Sequence, residues 1–174
     1  MRKAVVLLSG GLDSTTCMGI AVHEGYEVYP MSFFYSQRHQ TELESARAVA
    51  EHYGVPRERH LIVDLGRSIR GSALTGDADV PLGREMEAIG SDIPITYVPS
   101  RNIIFLSHAS SYAEAIGAEA IYIGVNSIDY SGYPDCRPEF VEAFQRVLDV
   151  GTKPGVEGHP VQLKTPLLYL SKGG

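Results

Sequence analysis

The stretch Lys3-Ala4-Val5-Val6-Leu7-Leu8-Ser9-Gly10-Gly11-Leu12-Asp13-Ser14-Thr15 decides the fold. Lys3–Leu8 is an apolar run of strand length, rich in Val and Leu, that ends in glycines. It shows no polar alternation, so both its faces must be buried, as in a parallel sheet. Two glycines then permit a tight turn with positive φ and leave no Cβ to block a phosphate. The residues from Ser14 to His23 suit a helix that is apolar nearly all round, lying between the sheet and its neighbours. A helix that begins at such a loop offers unpaired N–H groups and a partial positive charge of about half a unit to an anion.

Outward from this unit the pattern repeats. Glu27–Phe34 reads as a second strand and Thr41–Tyr53 as an amphipathic helix, with Leu43, Ala46, Val49, Ala50 and Tyr53 on one face. Gly54 and Pro56 end that helix, and His60–Asp64 reads as a third strand. The segment from Gly66 to Pro99 carries glycines 66, 71, 76, 83 and 90 and prolines 81, 94 and 99, the composition of a lid or flexible segment. Asn102–Ile116 is a helix, Ala120–Val125 a short strand, and Pro138–Val150 a further helix. Gln162–Leu168 is either a last strand or an extended tail.

Strands that alternate with helices predict one α/β domain over residues 1–174, a doubly wound parallel sheet with helices on both faces. Ligands of such folds bind beyond the carboxyl ends of the strands, near the point where strand order reverses. Ser9–Ser14, the stretch after Phe34 and Val125–Asp129 all follow strands and are therefore expected to meet.

Composition bounds the partners. The net charge of −6, from 15 basic and 21 acidic residues, argues against charge-driven binding of nucleic acid, which needs a basic surplus. A local cradle still binds a small anion within an acidic protein. No apolar stretch approaches the roughly 20 residues that span a bilayer, and no signal peptide precedes Ser9, so a cytoplasmic protein without a membrane partner is expected. Two cysteines, Cys17 and Cys136, make neither a disulfide framework nor a C-x-x-C pair, and the six histidines show no metal spacing.

The loop can be typed by what it lacks. A Walker A loop ends in Gly-Lys-Ser/Thr, and this one has no lysine; the G-x-G-x-x-G dinucleotide pattern is absent too. Ser9, Ser14 and Thr15 add hydroxyl donors to the backbone of Leu8, Gly10, Gly11 and Leu12. A carboxylate beside phosphates is repulsive unless a cation intervenes, so Asp13 reads as either a Mg²⁺ ligand or a helix cap.

Ser9–Ser14 resembles the SGGxDS loop of the PP-loop ATP pyrophosphatases. That resemblance implies a loop that holds the β,γ-diphosphate of ATP while ATP is split at the α-phosphate. Three further stretches, Val98–Asn102, Gly124–Phe140 and Lys164–Leu168, are similar to the 7-cyano-7-deazaguanine synthase branch of those proteins, in order and over essentially the whole chain. The resemblance implies ATP-driven conversion of 7-carboxy-7-deazaguanine and ammonia to the nitrile, in the pathway to queuosine. Another PP-loop amide ligase, a tRNA-thiolating enzyme or a non-catalytic ATP-binding module are the alternatives. The resemblance also implies a homodimer and a Cys-rich zinc site near the C-terminus. This chain stops at Gly174, before such a region, so the ligands of that zinc are expected to be missing and the chain to be C-terminally truncated.

Within that reading Asp13, Arg101, Asp129 and Lys164 are the candidate catalytic residues. Arg101 suits a carboxylate or phosphate through its planar fork, and Lys164 would neutralise phosphate charge. Asn102, Asn126, Asp129 and Asp135 are candidate polar contacts to the substrate, with Asp129 or Asp135 alternatively holding Mg²⁺, and Arg137 either meets the substrate carboxylate or phosphate or makes a surface salt bridge. Tyr130 and Tyr133 either stack on the deazapurine ring or pack as ordinary core. Cys136 reads as structural or substrate-lining, Cys17 as core. Gln37-Arg38-His39 is either a phosphate or lid element or a solvated loop.

Overall fold

The computed structural model describes residues 1–34, 40–65, 101–126 and 134–170. The stretch after Phe34 with Gln37–His39, the segment 66–99, Val98–Ser100, and the calls on Asp129, Tyr130 and Tyr133 all lie outside the described residues.

The first unit forms as its sequence requires. Strand β1 (Lys3–Leu7) leads into helix α1 (Leu12–His23), and β2 (Glu27–Phe34) into α2 (Gln40–His52). A single 3-10 turn at Arg57–Arg59 precedes β3 (Leu61–Asp64). Then come α3 (Arg101–Ile116), β4 (Ala120–Tyr122), a 3-10 turn at Pro134–Cys136, α4 (Pro138–Gly151), the short α5 (Lys153–Val156) and β5 (Gln162–Lys164). The last segment is thus a strand that ends at Lys164, with Thr165–Leu168 closing a turn through a Leu168 N–H bond to the Thr165 carbonyl of 3.1 Å.

The five strands form one parallel sheet in the order β3-β2-β1-β4-β5. β1 lies at the centre, so its residues alternate between two covered faces. Val5 and Leu7 pack with Leu106, Ala109 and Ala113 of α3 and Phe144 and Leu148 of α4. Ala4 and Val6, with Leu8 just beyond the strand, pack with Cys17, Met18 and Ala21 of α1 and Ala46 and Ala50 of α2. Burial on both sides is why the strand shows no alternation in its sequence.

α1 departs from the all-round apolar helix that its composition suggests. It buries one face, Ser14, Cys17, Met18 and Ala21, while Thr16 and Leu12 are exposed. Thr15 and Thr16, off that face, donate to the carbonyls of Gly11 and Leu12 at 2.7 and 2.9 Å.

The strand order places the switch point between β1 and β4. From β1 the chain steps outward to β2 and β3, then returns past β1 to lay down β4 and β5 on the other side. The carboxyl ends of β1 and β4 therefore open side by side into a crevice.

Candidate nucleotide and substrate cleft

A cavity of 580 Å³ occupies that crevice, within the usual size of a small-molecule site. Leu8–Ser14 form one wall, and Gly124 and Val125, after β4, lie against it. Glu42, Ser45 and neighbouring residues of the first turns of α2 close a second side. Arg101, Asn102 and Phe105 of α3 and the sulfur-bearing Cys136 close the third.

The loop is held open by its own hydroxyls. The Ser9 N–H donates to Ser14 Oγ at 3.0 Å, and the two serine hydroxyls are 3.1 Å apart. The Gly11 N–H donates to Ser9 Oγ at 3.3 Å. Gly10 takes φ +88°, and a Cβ built on it would meet the Glu42 carbonyl at 2.6 Å and the Ala46 nitrogen at 2.8 Å. The backbone of α2 thus comes down directly on the loop. Gly124 is similarly bare: a Cβ there would stand 3.0 Å from the Asp13 backbone.

Two readings of the loop change. The residue capping α1 is Gly11, without a side-chain cap bond, and Asp13 sits two residues further in, within the first turn. Asp13 is therefore not the cap, and its half-buried side chain belongs to the cleft. Thr15 does not line the cleft, and its hydroxyl donates to the Gly11 carbonyl.

The α3 side is organised by Asp135. Its carboxylate, 4% exposed, accepts from the Asn102 backbone N–H at 2.7 Å, and its carbonyl accepts from Asn102 Nδ2 at 2.8 Å. A carboxylate on unpaired N–H groups at a helix start is favourable. Asp135 thereby fixes the end of α3 from which Arg101 projects into the cleft, and lies behind the lining. Arg101 also stands over the Phe105 ring, its guanidinium carbon 5.9 Å from the centroid. Asn126 is 1% exposed, and its backbone bonds the Cys136 sulfur.

Two expected contacts fall elsewhere. Lys164 pairs in register with Tyr122, and its ammonium lies 5.3 and 5.7 Å from the ring centroids of Tyr26 and Tyr122. A cation held over two ring faces is satisfied there, and Lys164 does not line the cleft. Arg137 is more than half exposed and pairs with Glu139, two residues along, in place of facing the cleft.

Sequence reasoning missed Ser32, Phe33 and Phe105 as lining residues, and the first turns of α2. Phe33 and Phe105 are stacked, 4.1 Å between centroids and 12° between planes. Ser32 carried a usable signal: a hydroxyl inside the apolar run Tyr29–Phe34 needs a buried partner.

Both cysteines are protonated thiols. Burial, then the Asp135 carboxylate, pushes Cys136 up to about 11; burial, then Asp13, pushes Cys17 up to about 12. Neither is a thiolate nucleophile near neutrality. They lie in separate clusters on opposite faces of the sheet, and no group of three or more His, Cys, Asp or Glu among the described residues is placed to hold a metal. The described residues therefore do not fit a thiolate zinc site. The raised thiols have a consequence for stability. Above their ordinary value of 9.0 the unfolded chain loses thiol protons that the folded chain keeps, so stability falls as pH rises from 9 towards 11. Melting temperatures from pH 7 to 11 are expected to show this fall, and Cys136→Ala to make it shallower.

Comparison with known proteins fixes the family. The profile described as "Queuosine biosynthesis protein QueC" matches residues 3–174. The chain belongs to the QueC family. It is 61% identical over 173 residues to a 7-cyano-7-deazaguanine synthase of Desulfitobacterium hafniense, a match that covers 99% of this chain and 72% of that protein. It is 59% identical to the synthase of the same name from Acetivibrio thermocellus, covering 99% and 75%. Among solved structures, a predicted tRNA methyltransferase subunit from Methanocaldococcus jannaschii matches with TM-score 0.56 at 15% identity, over 99% of this chain and 71% of that one. A 4-thiouridine synthetase solved with RNA and bound ATP matches with TM-score 0.55 at 22% identity, over 99% and 38%. These two share the fold of the QueC chain. No helix among the described residues is long and apolar enough to cross a membrane.

Proposed function

We propose that this QueC chain uses ATP to convert 7-carboxy-7-deazaguanine and ammonia into 7-cyano-7-deazaguanine, and that both activated groups form in the cleft between β1 and β4. The observation that carries the reading is the meeting of the lysine-free Ser9–Ser14 loop with Arg101 in one cavity, in a chain 61% identical to a synthase of that name.

A carboxylate is a poor electrophile, because it would have to expel oxide. Attack of its oxygen on the α-phosphorus of ATP gives an acyl-adenylate and releases diphosphate. Ammonia then displaces AMP and leaves the amide. A second ATP adenylates the amide oxygen, releasing diphosphate again, and loss of AMP and two protons leaves the nitrile. No protein nucleophile is required, which agrees with two buried, protonated thiols. The same observation disfavours sulfur transfer through Cys136.

The chain's own contribution is positioning and charge. The N-terminus of α1 and the bare backbone of Gly10 and Gly11 suit the diphosphate. Arg101 suits the substrate carboxylate or the α-phosphate. Mg²⁺ bound with ATP would neutralise the diphosphate, and Asp13, a cleft carboxylate within the loop itself, would hold it, since this ion commonly takes one or two carboxylates plus phosphates.

The test is incubation with 7-carboxy-7-deazaguanine, ammonia, Mg²⁺ and ATP, followed by mass spectrometry. Nitrile formed with diphosphate release is the expected result. ATP bound without product would identify a nucleotide-binding module, and product without diphosphate release would remove the adenylation route.

A further inference from the structure

The peptide that joins β1 to the loop is gripped at both ends by hydroxyls from different elements. Its N–H, that of Ser9, donates to Ser14 Oγ of α1 at 3.0 Å. Its carbonyl, that of Leu8, accepts from Ser32 Oγ of β2 at 2.6 Å. Ser32 is 2% exposed and lies beneath the cleft floor, which it also lines. Its oxygen is in turn 2.7 Å from Nε2 of His60, the residue that enters β3.

Proton counting fixes the direction of this chain of bonds. The Leu8 carbonyl can only accept, so the single Ser32 proton goes to it. Ser32 therefore accepts from His60, and Nε2 carries the hydrogen. Burial, then the nearby Arg47, lowers the His60 pKa below its ordinary 6.5 and favours the neutral ring. An imidazole on β3 thus orients a hydroxyl on β2, which orients the peptide from which the loop springs.

We infer that His60, acting through Ser32, is a positioning residue for the nucleotide loop, setting the affinity for ATP without touching it. The inference rests on the loop being the ATP site. Without the His60 donor, the Ser32 hydroxyl is free to rotate off the Leu8 carbonyl, and the Leu8–Ser9 peptide is held only from the α1 side. The donors for phosphate that follow it lose their fixed aim.

The experiment is calorimetric titration of the full chain with ATP and Mg²⁺, which returns Kd and stoichiometry separately. His60→Leu and Ser32→Ala are each expected to weaken Kd about ten-fold at unchanged stoichiometry, the scale of one lost buried hydrogen bond. His60→Gln, which keeps an N–H donor, is expected to stay within about three-fold of the parent. The double variant is expected to be no weaker than Ser32→Ala alone, because His60 acts only through Ser32. A merely structural role would lower stoichiometry and leave Kd alone, and that result overturns the inference. So does additivity in the double variant, or parental affinity in His60→Leu. Should His60→Leu not fold, Ser32→Ala against the parent, with His60→Gln, decides by the same readout. A parent chain that binds no ATP overturns both this inference and the reading on which it rests.

Discussion

Gly10→Ala is expected to lose ATP binding at least ten-fold and to melt about 5–15 °C lower than the parent. Two costs add. An L-residue at φ +88° pays roughly 1–2 kcal/mol for the left-handed region. The new methyl would also stand 2.6 Å from the Glu42 carbonyl and 2.8 Å from the Ala46 nitrogen, and neither is a flexible side-chain end that can swing aside. Either α2 lifts from the loop or the loop abandons its shape, and forced overpacking of this kind costs about 1–3 kcal/mol. At a few degrees per kcal/mol for a chain of this size, the sum gives the stated fall in melting temperature. Gly25→Ala separates the two costs. Gly25 has φ +91° and nothing within 4 Å of the built Cβ, so it pays the backbone term alone and lies away from the cleft. Calorimetry and thermal melts of both variants check the argument. Equal melting losses with intact ATP binding in both would sink it.

That contact between Gly10 and α2 also shows where sequence reasoning reaches its limit. The glycine pair between a buried strand and a helix announces a loop, because backbone freedom is a local property written at its own positions. The same is true of β1 and β2, whose β-branched and apolar runs match their observed spans within a residue. What presses on Gly10 is not local. Glu42 and Ala46 lie more than 30 residues on, and only the parallel pairing of β1 with β2 brings α2 over the loop. Asp135 illustrates the converse. In sequence its carboxylate reads as an acceptor for a substrate N–H or a Mg²⁺ ligand; the structure buries it, and its partner is the Asn102 N–H at the start of α3. Lys164 fails for a third reason: register. Pairing with Tyr122 commits its side chain to the face of Tyr26, and no local pattern tells which face of a three-residue strand is which.

Asp13→Ala is expected to lower ATP turnover by about 10²–10³-fold, the usual loss on removing one fixed electrostatic group from a site. The sign of the binding change is the sharper point. Asp13 stands in the first turn of α1, half-buried in the cleft wall, beside the backbone that suits phosphate. If its carboxylate only repelled the diphosphate, removing it would tighten ATP. If it shares Mg²⁺ with the phosphates, removing it weakens Mg²⁺-ATP while metal-free ATP binds as well as before or better. The second pattern is the expected one, read by titrating ATP with Mg²⁺ and then with a chelator. Stability should change little, because a first-turn carboxylate contributes only about 0.3–1 kcal/mol through the helix dipole. Asp13→Asn keeps the shape and loses the charge, so it should fall with Asp13→Ala in turnover. An asparagine variant with parental turnover would remove Asp13 from the metal's coordination. It would leave the loop's backbone and Arg101 as the chain's principal means of charge stabilisation in the cleft.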